Sequence, residues 1–213
     1  MALQSWALWT ARGLGLAYTG YAVDGAGAGD LVAQQIPAFA RRSADPEAGY
    51  EVGCLYIGVN DLRAPDWDPI RFAGLYAEAL AFLTGRCERV LALTIPLSLG
   101  VPPAGARVGE ANALIERLAR EHGALPVDLS GFGARNQVMA DRVHPTAFGQ
   151  IAIAERALAV LAADGLPTRV PPAALIAFKT TPTGRLRGDL TYTYRSLKQH
   201  GRAALQRLSA GGR

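Results

Sequence analysis

Short apolar runs alternate along the chain with longer segments that have the spacing of amphipathic helices, and this alternation limits the possible folds most. Residues 52–57 and 90–95 are apolar on both faces, as in strands that are covered from both sides. Between them, Asp68 and Pro69 provide a cap and a first-turn proline for a helix that runs to Thr84. The alternation predicts a three-layer α/β/α fold, with a parallel sheet between two helical layers.

The same pattern covers most of the 213 residues, half of which are apolar, so the chain is long enough for one buried core. Further strands are predicted at residues 16–23 and 125–129. Further helices are predicted at residues 6–14, from a cap at Asp30 to Arg42, at residues 108–121, and from Pro145 to about Ala163.

Charge divides the chain into two regions. Residues 1–166 carry 13 Arg and 17 acidic residues, a net charge of −4, whereas residues 167–213 carry 9 basic residues and Asp189, a net charge of +8. We therefore predict a body at 1–166 and a basic, partly helical extension at 167–213 that begins at a cluster of prolines. The basic isoelectric point belongs to the extension and indicates nothing about a substrate of the body.

Residues 190–208 of the extension have an amphipathic pattern. One helical face would carry a set of large apolar side chains, namely Leu190, Tyr194, Leu197, Leu205 and Leu208, with basic residues around it. Such a segment suits peripheral contact with an anionic membrane surface. It can also fold back on the acidic body, contact nucleic acid without specificity, or remain a solvated extension that Gly201 weakens. No specific nucleic-acid partner is predicted, and the pattern does not determine an oligomeric state.

The cysteines and histidines point to a reduced protein without a metal. Cys54 and Cys87 lie in or beside buried strands, as reduced core thiols do. The first residues lack the basic and apolar regions of a signal peptide, so we expect a cytoplasmic protein. The three histidines have no ligand spacing, and neither a metal nor another cofactor is predicted.

Gly58-Val59-Asn60-Asp61 directly follows the predicted strand 52–57. Functional groups gather at the carboxyl ends of parallel strands, and a side-chain amide there can donate a hydrogen bond to a developing oxyanion. Gly, Asn and Asp also form turns, and the tetrapeptide taken alone is better explained as a turn.

Asp141 and His144 stand directly before the helix predicted to start at Pro145. A carboxylate three residues ahead of a histidine can reach Nδ1, fix the tautomer and leave Nε2 free as a base. In the competing interpretation Asp141 caps the helix and His144 is a surface residue, and this is favoured when the pair is taken alone.

A glycine cluster, Gly25, Gly27 and Gly29, joins the predicted strand 16–23 to the next helix. Glycine lets the backbone approach a ligand closely, and a helix N-terminus offers free N–H donors. A dinucleotide-binding fingerprint is the alternative, but its third glycine position would be Asp30. Its acidic residue would be Asp45, ahead of the next strand. The spacing therefore disfavours a nucleotide-binding protein.

In their order along the chain, and on this α/β pattern, the three motifs resemble three of the four conserved blocks of the SGNH/GDSL family of serine hydrolases. Gly25 matches the strand-end glycine, residues 58–61 match Gly-x-Asn-Asp, and residues 141–145 match Asp-x-x-His-Pro. The resemblance extends over about residues 4–164.

The resemblance implies a flavodoxin-like fold and cleavage of ester or O-acyl bonds in a small-molecule substrate. It implies that His144 is the general base and acid and that Asp141 orients it. The Gly25 N–H and the Asn60 side-chain amide would form the oxyanion hole. Asp61 would be a strand-end hydrogen-bonding residue.

The family's first block, Gly-Asp-Ser at the end of the first strand, has no match before the helix at residues 6–14. Ser5 is a weak candidate for the nucleophile, because no Gly-Asp precedes it and too few residues precede it for a central strand. Either the first strand and its nucleophile are missing from the chain, or the protein is a degenerate homologue that binds an acylated or glycosylated ligand without catalysis. We favour the first explanation, because removing a central strand leaves its neighbours with unpaired N–H and C=O groups.

Four apolar residues near the predicted active edge are candidates for an acyl or aryl pocket: Trp67, Phe72, Leu97 and Leu99. Helix packing and loop anchoring explain them equally well.

Overall fold

The computed structural model describes residues 5–42, 45, 49–176 and 181–210. Within these residues a parallel sheet contains β1 (Tyr50–Leu55), β2 (Cys87–Leu93) and β3 (Leu125–Val127), in the order β1-β2-β3. The register pairs Val52 with Arg89 and Leu91 with Leu125. β2 is therefore the central strand, and one edge of β1, called here the free edge of β1, has no partner among the described residues.

Helices lie between and beyond these strands. They are α1 (Trp6–Leu14), α2 (Ala28–Asp30), α3 (Ile36–Arg42), α4 (Val59–Arg63), α5 (Pro69–Thr84), α6 (Ala106–Glu121), α7 (Ala147–Ala163) and α8 (Pro182–Ala210). A π-helical turn, Leu31–Gln35, joins α2 to α3, and a 3-10 turn, Pro172–Leu175, follows α7.

Side chains at the helix starts explain several of these boundaries. The Asp68 carboxylate accepts the N–H groups of Ile70 and Arg71 at the start of α5, as its sequence predicts. Thr146 caps α7 by accepting the Gly149 N–H, so this helix begins two residues beyond the predicted Pro145. Asp30 does not cap the helix after the glycine cluster. Gly27 occupies that position, and the Asp30 carboxylate accepts the Gly27 N–H at 2.9 Å.

Two apolar layers cover the sheet and confirm the predicted α/β/α architecture. On one face, β1 and β2 pack against α5 and α6 in a core that includes Leu55, Tyr76, Val90 and Ile115. On the other face, β2 and β3 pack against α1 and α7 in a core that includes the fully buried Leu91, Val127 and Ile153. Phe72 and Leu99 belong to the first core, so for these two the packing interpretation is correct.

The predicted strand at residues 16–23 is wrong. These residues form no strand in the structure, although half-buried Leu16 and Tyr18 alternate with exposed Ala17 and Thr19 as they would in a strand that is covered on one face. A strand needs a partner for its N–H and C=O groups, and the free edge of β1 shows that a neighbouring strand is absent from the described sheet. The outer edge of β1 is therefore unpaired among the described residues.

The segment after α7 returns to the body before α8 begins. The N–H groups of Arg169 and Val170 both donate to the Gly13 carbonyl, at 2.9 and 3.0 Å. A Cβ at Gly13 would lie 2.6 Å from the Leu158 side chain, so glycine permits this close approach of α1 to α7. The helix α8 then continues through Gly201, which the sequence led us to expect as a weak point.

No helix among the residues described has the length and apolar character needed to cross a lipid bilayer.

The two cysteines occupy neighbouring strands as free thiols. Burial, with a smaller contribution from Cys87, raises the pKa of Cys54 to about 12. Burial raises the pKa of Cys87 to about 11, against the opposing charge of Arg86. Both groups therefore remain protonated and unreactive near neutral pH.

Candidate functional site

The loop between β3 and α7 brings Asp141 and His144 together. Asp141 Oδ2 lies 2.9 Å from His144 Nδ1, and Asp141 Oδ1 accepts the N–H groups of Val143 and His144 at 2.9 and 3.1 Å. The carboxylate therefore holds both the ring and the backbone of the loop. Among the described residues, no hydrogen-bond partner lies against His144 Nε2.

Hydrogen bonds outside the pair fix the shape of this loop. The Met139 N–H donates to the His144 carbonyl at 2.8 Å, and the Thr146 N–H donates to the Gln137 carbonyl at 2.9 Å. Arg142 has a left-handed backbone, with φ 55°, and its carbonyl accepts the Gly100 N–H at 3.0 Å. That last bond ties the His144 loop to the loop that follows β2.

The electrostatics of the pair favour an ionised Asp141. Burial raises the pKa of Asp141, but hydrogen bonds from the His144 ring and from the Val143 and His144 amides together outweigh it, so the pKa lies below its ordinary value. The His144 side chain is 67% exposed and the Asp141 side chain 32% exposed. A carboxylate on Nδ1 and an accessible Nε2 are the arrangement that a histidine base requires.

Asn60 lies in the first turn of α4, at the carboxyl end of β1. Its Nδ2 donates to the Ala26 carbonyl at 3.0 Å, which joins the Gly58–Asp61 motif to the turn at Gly25. The second N–H of the amide has no hydrogen-bond partner among the described residues. Gly58, with φ 113°, lets the chain turn sharply here, and a Cβ at this position would lie 3.0 Å from the side chains of Ile95 and Phe72.

Gly25 and Asp61 complete this part of the site. Gly25 has φ 82°, and a Cβ built on it would meet no atom within 4 Å, so the backbone there faces open space. The Asp61 carboxylate accepts the Ala28 N–H at 3.0 and 3.2 Å from its two oxygens, at the start of α2. Asp61 thus holds the glycine turn against α4, and its carboxylate is occupied by that contact.

Asn112, which the sequence did not indicate, supports the carboxyl edge of the sheet. It is buried on α6, accepts the Ile95 N–H at 2.7 Å and donates to the Ile95 carbonyl at 2.8 Å. These two bonds fix the chain as it leaves β2. The available signal was an amide on the otherwise apolar inner face of α6.

The structure therefore forms two groups at the carboxyl edge of the sheet. One is Asp141 with His144, and the other is Asn60 with the turn at Gly25. No direct hydrogen bond joins the groups within the described part of the chain. Their link is the shared core, in which Val143 and Val59 pack against the same buried cluster.

Ser5 has a structural role at the start of α1. Its Oγ accepts the Leu8 N–H at 3.3 Å, and the following Trp6 N–H donates to Gln150 Oε1 on α7 at 2.8 Å. Among the described residues, no serine oxygen forms a hydrogen bond with His144. In the described ranges no group of three or more His, Cys, Asp or Glu residues is arranged to hold a metal.

The carboxyl edge of an open parallel sheet thus carries an Asp-His pair and an Asn-Gly pair. A family model described as the GDSL-like lipase/acylhydrolase family matches residues 2–151. The chain belongs to this family, and by family it is a hydrolase that acts on esters.

Solved structures agree with this fold. One is an alpha/beta hydrolase enzyme from the metagenome of Lake Arreo, Spain, with a TM-score of 0.60 and 21% identity over 75% of this chain and 82% of that chain. Another is a member of the lipolytic protein G-D-S-L family from Veillonella parvula DSM 2008, with a TM-score of 0.60 and 18% identity over 76% and 90%. A third is an acetyl xylan esterase, with a TM-score of 0.59 and 17% identity over 74% and 91%. Among curated protein sequences no match was found.

Proposed function

We propose that the protein cleaves ester or O-acyl bonds of a small-molecule substrate, with His144 as general base and acid and Asp141 as its orienting partner. The observation that carries the proposal is the 2.9 Å contact between Asp141 Oδ2 and His144 Nδ1, which leaves Nε2 as the ring nitrogen available for proton transfer. In the first step His144 takes the proton of a serine hydroxyl as its oxygen attacks the ester carbonyl. His144 then gives the proton to the departing alkoxide, and water repeats the sequence on the acyl-enzyme.

The oxyanion of the tetrahedral intermediate would be held by the Gly25 N–H and the Asn60 amide. Two features support this assignment: the open space at Gly25 and the second amide proton of Asn60, whose first is used by the Ala26 carbonyl. Both donors are uncharged and are fixed before the reaction, as a site for a developing negative charge requires.

We further propose that the serine stands on an additional strand that pairs with the free edge of β1. Three observations support this strand. β1 is paired only with β2 in the described sheet. Residues 16–23 have strand-like alternation without a partner, and Val52, Cys54 and Tyr56 on β1 and just beyond it remain half-buried. A strand inserted between β1 and residues 16–23 would pair both and would end at the edge where His144 and Asn60 stand.

The protonated, free thiols of Cys54 and Cys87 suit a reducing compartment, which supports the cytoplasmic location expected from the sequence.

The test compares two proteins in hydrolysis of p-nitrophenyl acetate and in covalent labelling by a fluorophosphonate, which marks an activated serine. One is the 213-residue chain, and the other begins further upstream in the same genomic reading frame and includes a Gly-Asp-Ser strand. We expect the longer protein to be labelled and active and the 213-residue chain to show only trace hydrolysis, because a base and an oxyanion hole without a nucleophile retain little of the rate.

The controls separate the alternatives. His144→Ala in the longer protein should abolish turnover while leaving the fold intact by circular dichroism. Strong labelling of the 213-residue chain that Ser5→Ala removes would assign the nucleophile to Ser5 and overturn the additional strand. A folded longer protein that carries the serine but shows neither labelling nor turnover would instead identify a binding domain without catalysis.

A further inference from the structure

The long C-terminal helix α8 contacts the body along one side only. Half-buried or buried residues recur at the spacing of one helical face: Tyr192, Ser196, Gln199 and Ala203. Arg135 of the body pairs with Asp189 at 2.9 Å, and its guanidinium also lies over the Tyr192 ring, 5.2 Å from the centroid. These contacts fix which side of α8 faces inward.

An apolar stripe, interrupted at Gly201, occupies the opposite side of α8 and is not covered by the other described residues. It consists of Leu186, Leu190, Tyr194, Leu197 and Leu205, whose side chains are between 61% and 70% exposed. These positions follow a spacing of three, four or eight residues, and the stripe is roughly 28 Å long at the rise of an α-helix. Such an extended apolar surface on a helix that is already docked needs a partner outside the described chain.

Basic residues flank this stripe. Arg187, Lys198 and Arg202 are exposed and follow the stripe along one side of the helix, by the helical period of about 100° per residue. The helix as a whole carries 6 basic residues and one acidic residue, Asp189, which is already paired with Arg135. The outward surface of α8 is therefore apolar along its centre and positive along its flank.

We propose that the outward face of α8 binds an anionic lipid surface, with the helix lying in the plane of the membrane. The apolar stripe would enter the boundary between headgroups and acyl chains, and the flanking cations would contact lipid phosphates and carboxylates. Charge decides between this occupant and a second copy of the chain: two α8 faces placed together would oppose like charges, whereas an anionic surface complements them.

The inner side of α8 faces the loop that carries His144. The inner side of α8 and that loop together line a cavity of about 170 Å³, to which Arg142, His200 and Ala203 contribute. Arg142 stands two residues before His144. The proposal on lipid binding does not depend on the hydrolase chemistry, and its test measures binding alone.

The experiment is co-sedimentation of the full chain with vesicles of phosphatidylcholine that contain about one quarter phosphatidylserine, at about 0.15 M salt. Pure phosphatidylcholine vesicles give the reference. We expect binding to the anionic vesicles to be at least about tenfold stronger, since each cation near such a surface contributes up to roughly fivefold. Raising the salt to about 1 M should remove most of that preference.

Two pairs of variants test the face itself. Leu190→Ser with Leu197→Ser should reduce binding by roughly tenfold or more, whereas Ile70→Ser, at an apolar side chain that is 84% exposed on α5, should not. Lys198→Gln with Arg202→Gln should reduce the preference for anionic vesicles, whereas Arg41→Gln with Arg42→Gln removes the same charge from α3 without that effect. Circular dichroism and thermal melting check that each variant is folded.

Three results would overturn the proposal. Equal binding of the parent chain to both kinds of vesicle would remove the role of charge, and equal losses in the α3 and α8 charge variants would remove the role of position. If the parent chain binds no vesicles and light scattering shows a dimer that Leu190→Ser with Leu197→Ser converts to a monomer, then the stripe is an interface between copies.

Discussion

The two groups of the candidate site differ in what holds them. The loop of Asp141 and His144 is attached to strands that are paired, through the bond between Gly100 and Arg142 and through its own internal bonds. Asn60 and the turn at Gly25 hold each other, through the contacts of Asn60 with Ala26 and Asp61 with Ala28. They depend, however, on β1, which has a free edge, and on residues 16–23, which have no strand partner in the described sheet.

This difference indicates that the proposed proton-transfer group is attached to paired strands, whereas the proposed oxyanion group is held by its own contacts beside an unpaired strand edge. The Asn60–Ala26 and Asp61–Ala28 hydrogen bonds join two loops into one constellation without a strand pairing between them. The position of that constellation relative to the other group needs the long-range pairing that only a complete sheet supplies.

The largest effect is expected for Asp141→Asn in the longer protein proposed above. Loss of the carboxylate should lower kcat about 10⁴-fold, because Nδ1 then no longer has an acceptor that fixes the tautomer and stabilises the charged ring. Steady-state hydrolysis of p-nitrophenyl acetate measures this. Asp164→Asn, at a surface carboxylate paired with Arg89, is the matched control and should leave the rate unchanged. A loss of less than tenfold in the Asp141 variant would show that His144 acts without it.

Asn60→Ala in the same protein should lower kcat by roughly 10²–10³-fold with a smaller effect on KM, since in the proposed role the amide would contact the substrate oxygen most strongly in the transition state. The same kinetic assay separates the two parameters. Asn60→Asp keeps the size of the side chain and removes the donor, so it should not restore the rate. A variant that changes only KM would mean that the amide binds substrate without stabilising the oxyanion.

Amide hydrogen exchange of the 213-residue chain should distinguish the paired strand β2 from residues 16–23, which have no strand partner. We expect the amides of β2 to exchange more than about 10²-fold more slowly than those of residues 16–23, because only the former are donated within a covered sheet. In the longer protein the amides of residues 16–23 should slow toward those of β2. Equal protection of both segments in the shorter chain would contradict the contrast.

Asn112→Ala should reduce the free energy of unfolding by about 2 kcal/mol, since it leaves the buried N–H and C=O of Ile95 without partners. Urea denaturation followed by circular dichroism measures this. Ala113→Ser on the exposed side of the same helix is the control and should change stability little. Because Ile95 also contacts the Gly58 turn, the loss of the Asn112 amide should affect both groups of the site. An unchanged free energy of unfolding would show that water replaces the amide.

The smallest effect concerns acid titration of Asp141. Its pKa is depressed, so the carboxylate stabilises the folded state at pH values above its ordinary pKa, and this contribution is lost as the pH falls through the depressed value. Carbon NMR of the carboxyl group should therefore show a midpoint below 3.8. His144→Ala removes one of the hydrogen bonds that lower the pKa and should raise the midpoint. A midpoint at or above 3.8 in the parent chain would mean that burial dominates.

The sequence predicted the layers and the local pairs well, for a physical reason. Apolar periodicity and caps such as Asp68 act within a few residues, so they indicate elements directly, and the Asp141–His144 spacing likewise operates within one loop. The strand at residues 16–23 was wrong because its alternation is local, whereas its pairing depends on a partner elsewhere. Asn112 was missed because its role depends on Ile95 across a helix–strand contact that no short pattern reports. The cap at Gly27 was missed because Asp30 was expected to stand just before the helix. Asp30 instead lies inside the helix, where its carboxylate accepts the Gly27 N–H.

The free edge of β1 also affects how readily molecules of the protein associate with one another. A strand edge with uncommitted N–H and C=O groups is a template for any other extended chain, including the same edge of another molecule. Glu51 is the only charged side chain on β1, and it lies near the amino end, so the rest of the edge carries no repulsive group. A strand that paired with this row of backbone groups would also remove it as a site of self-association.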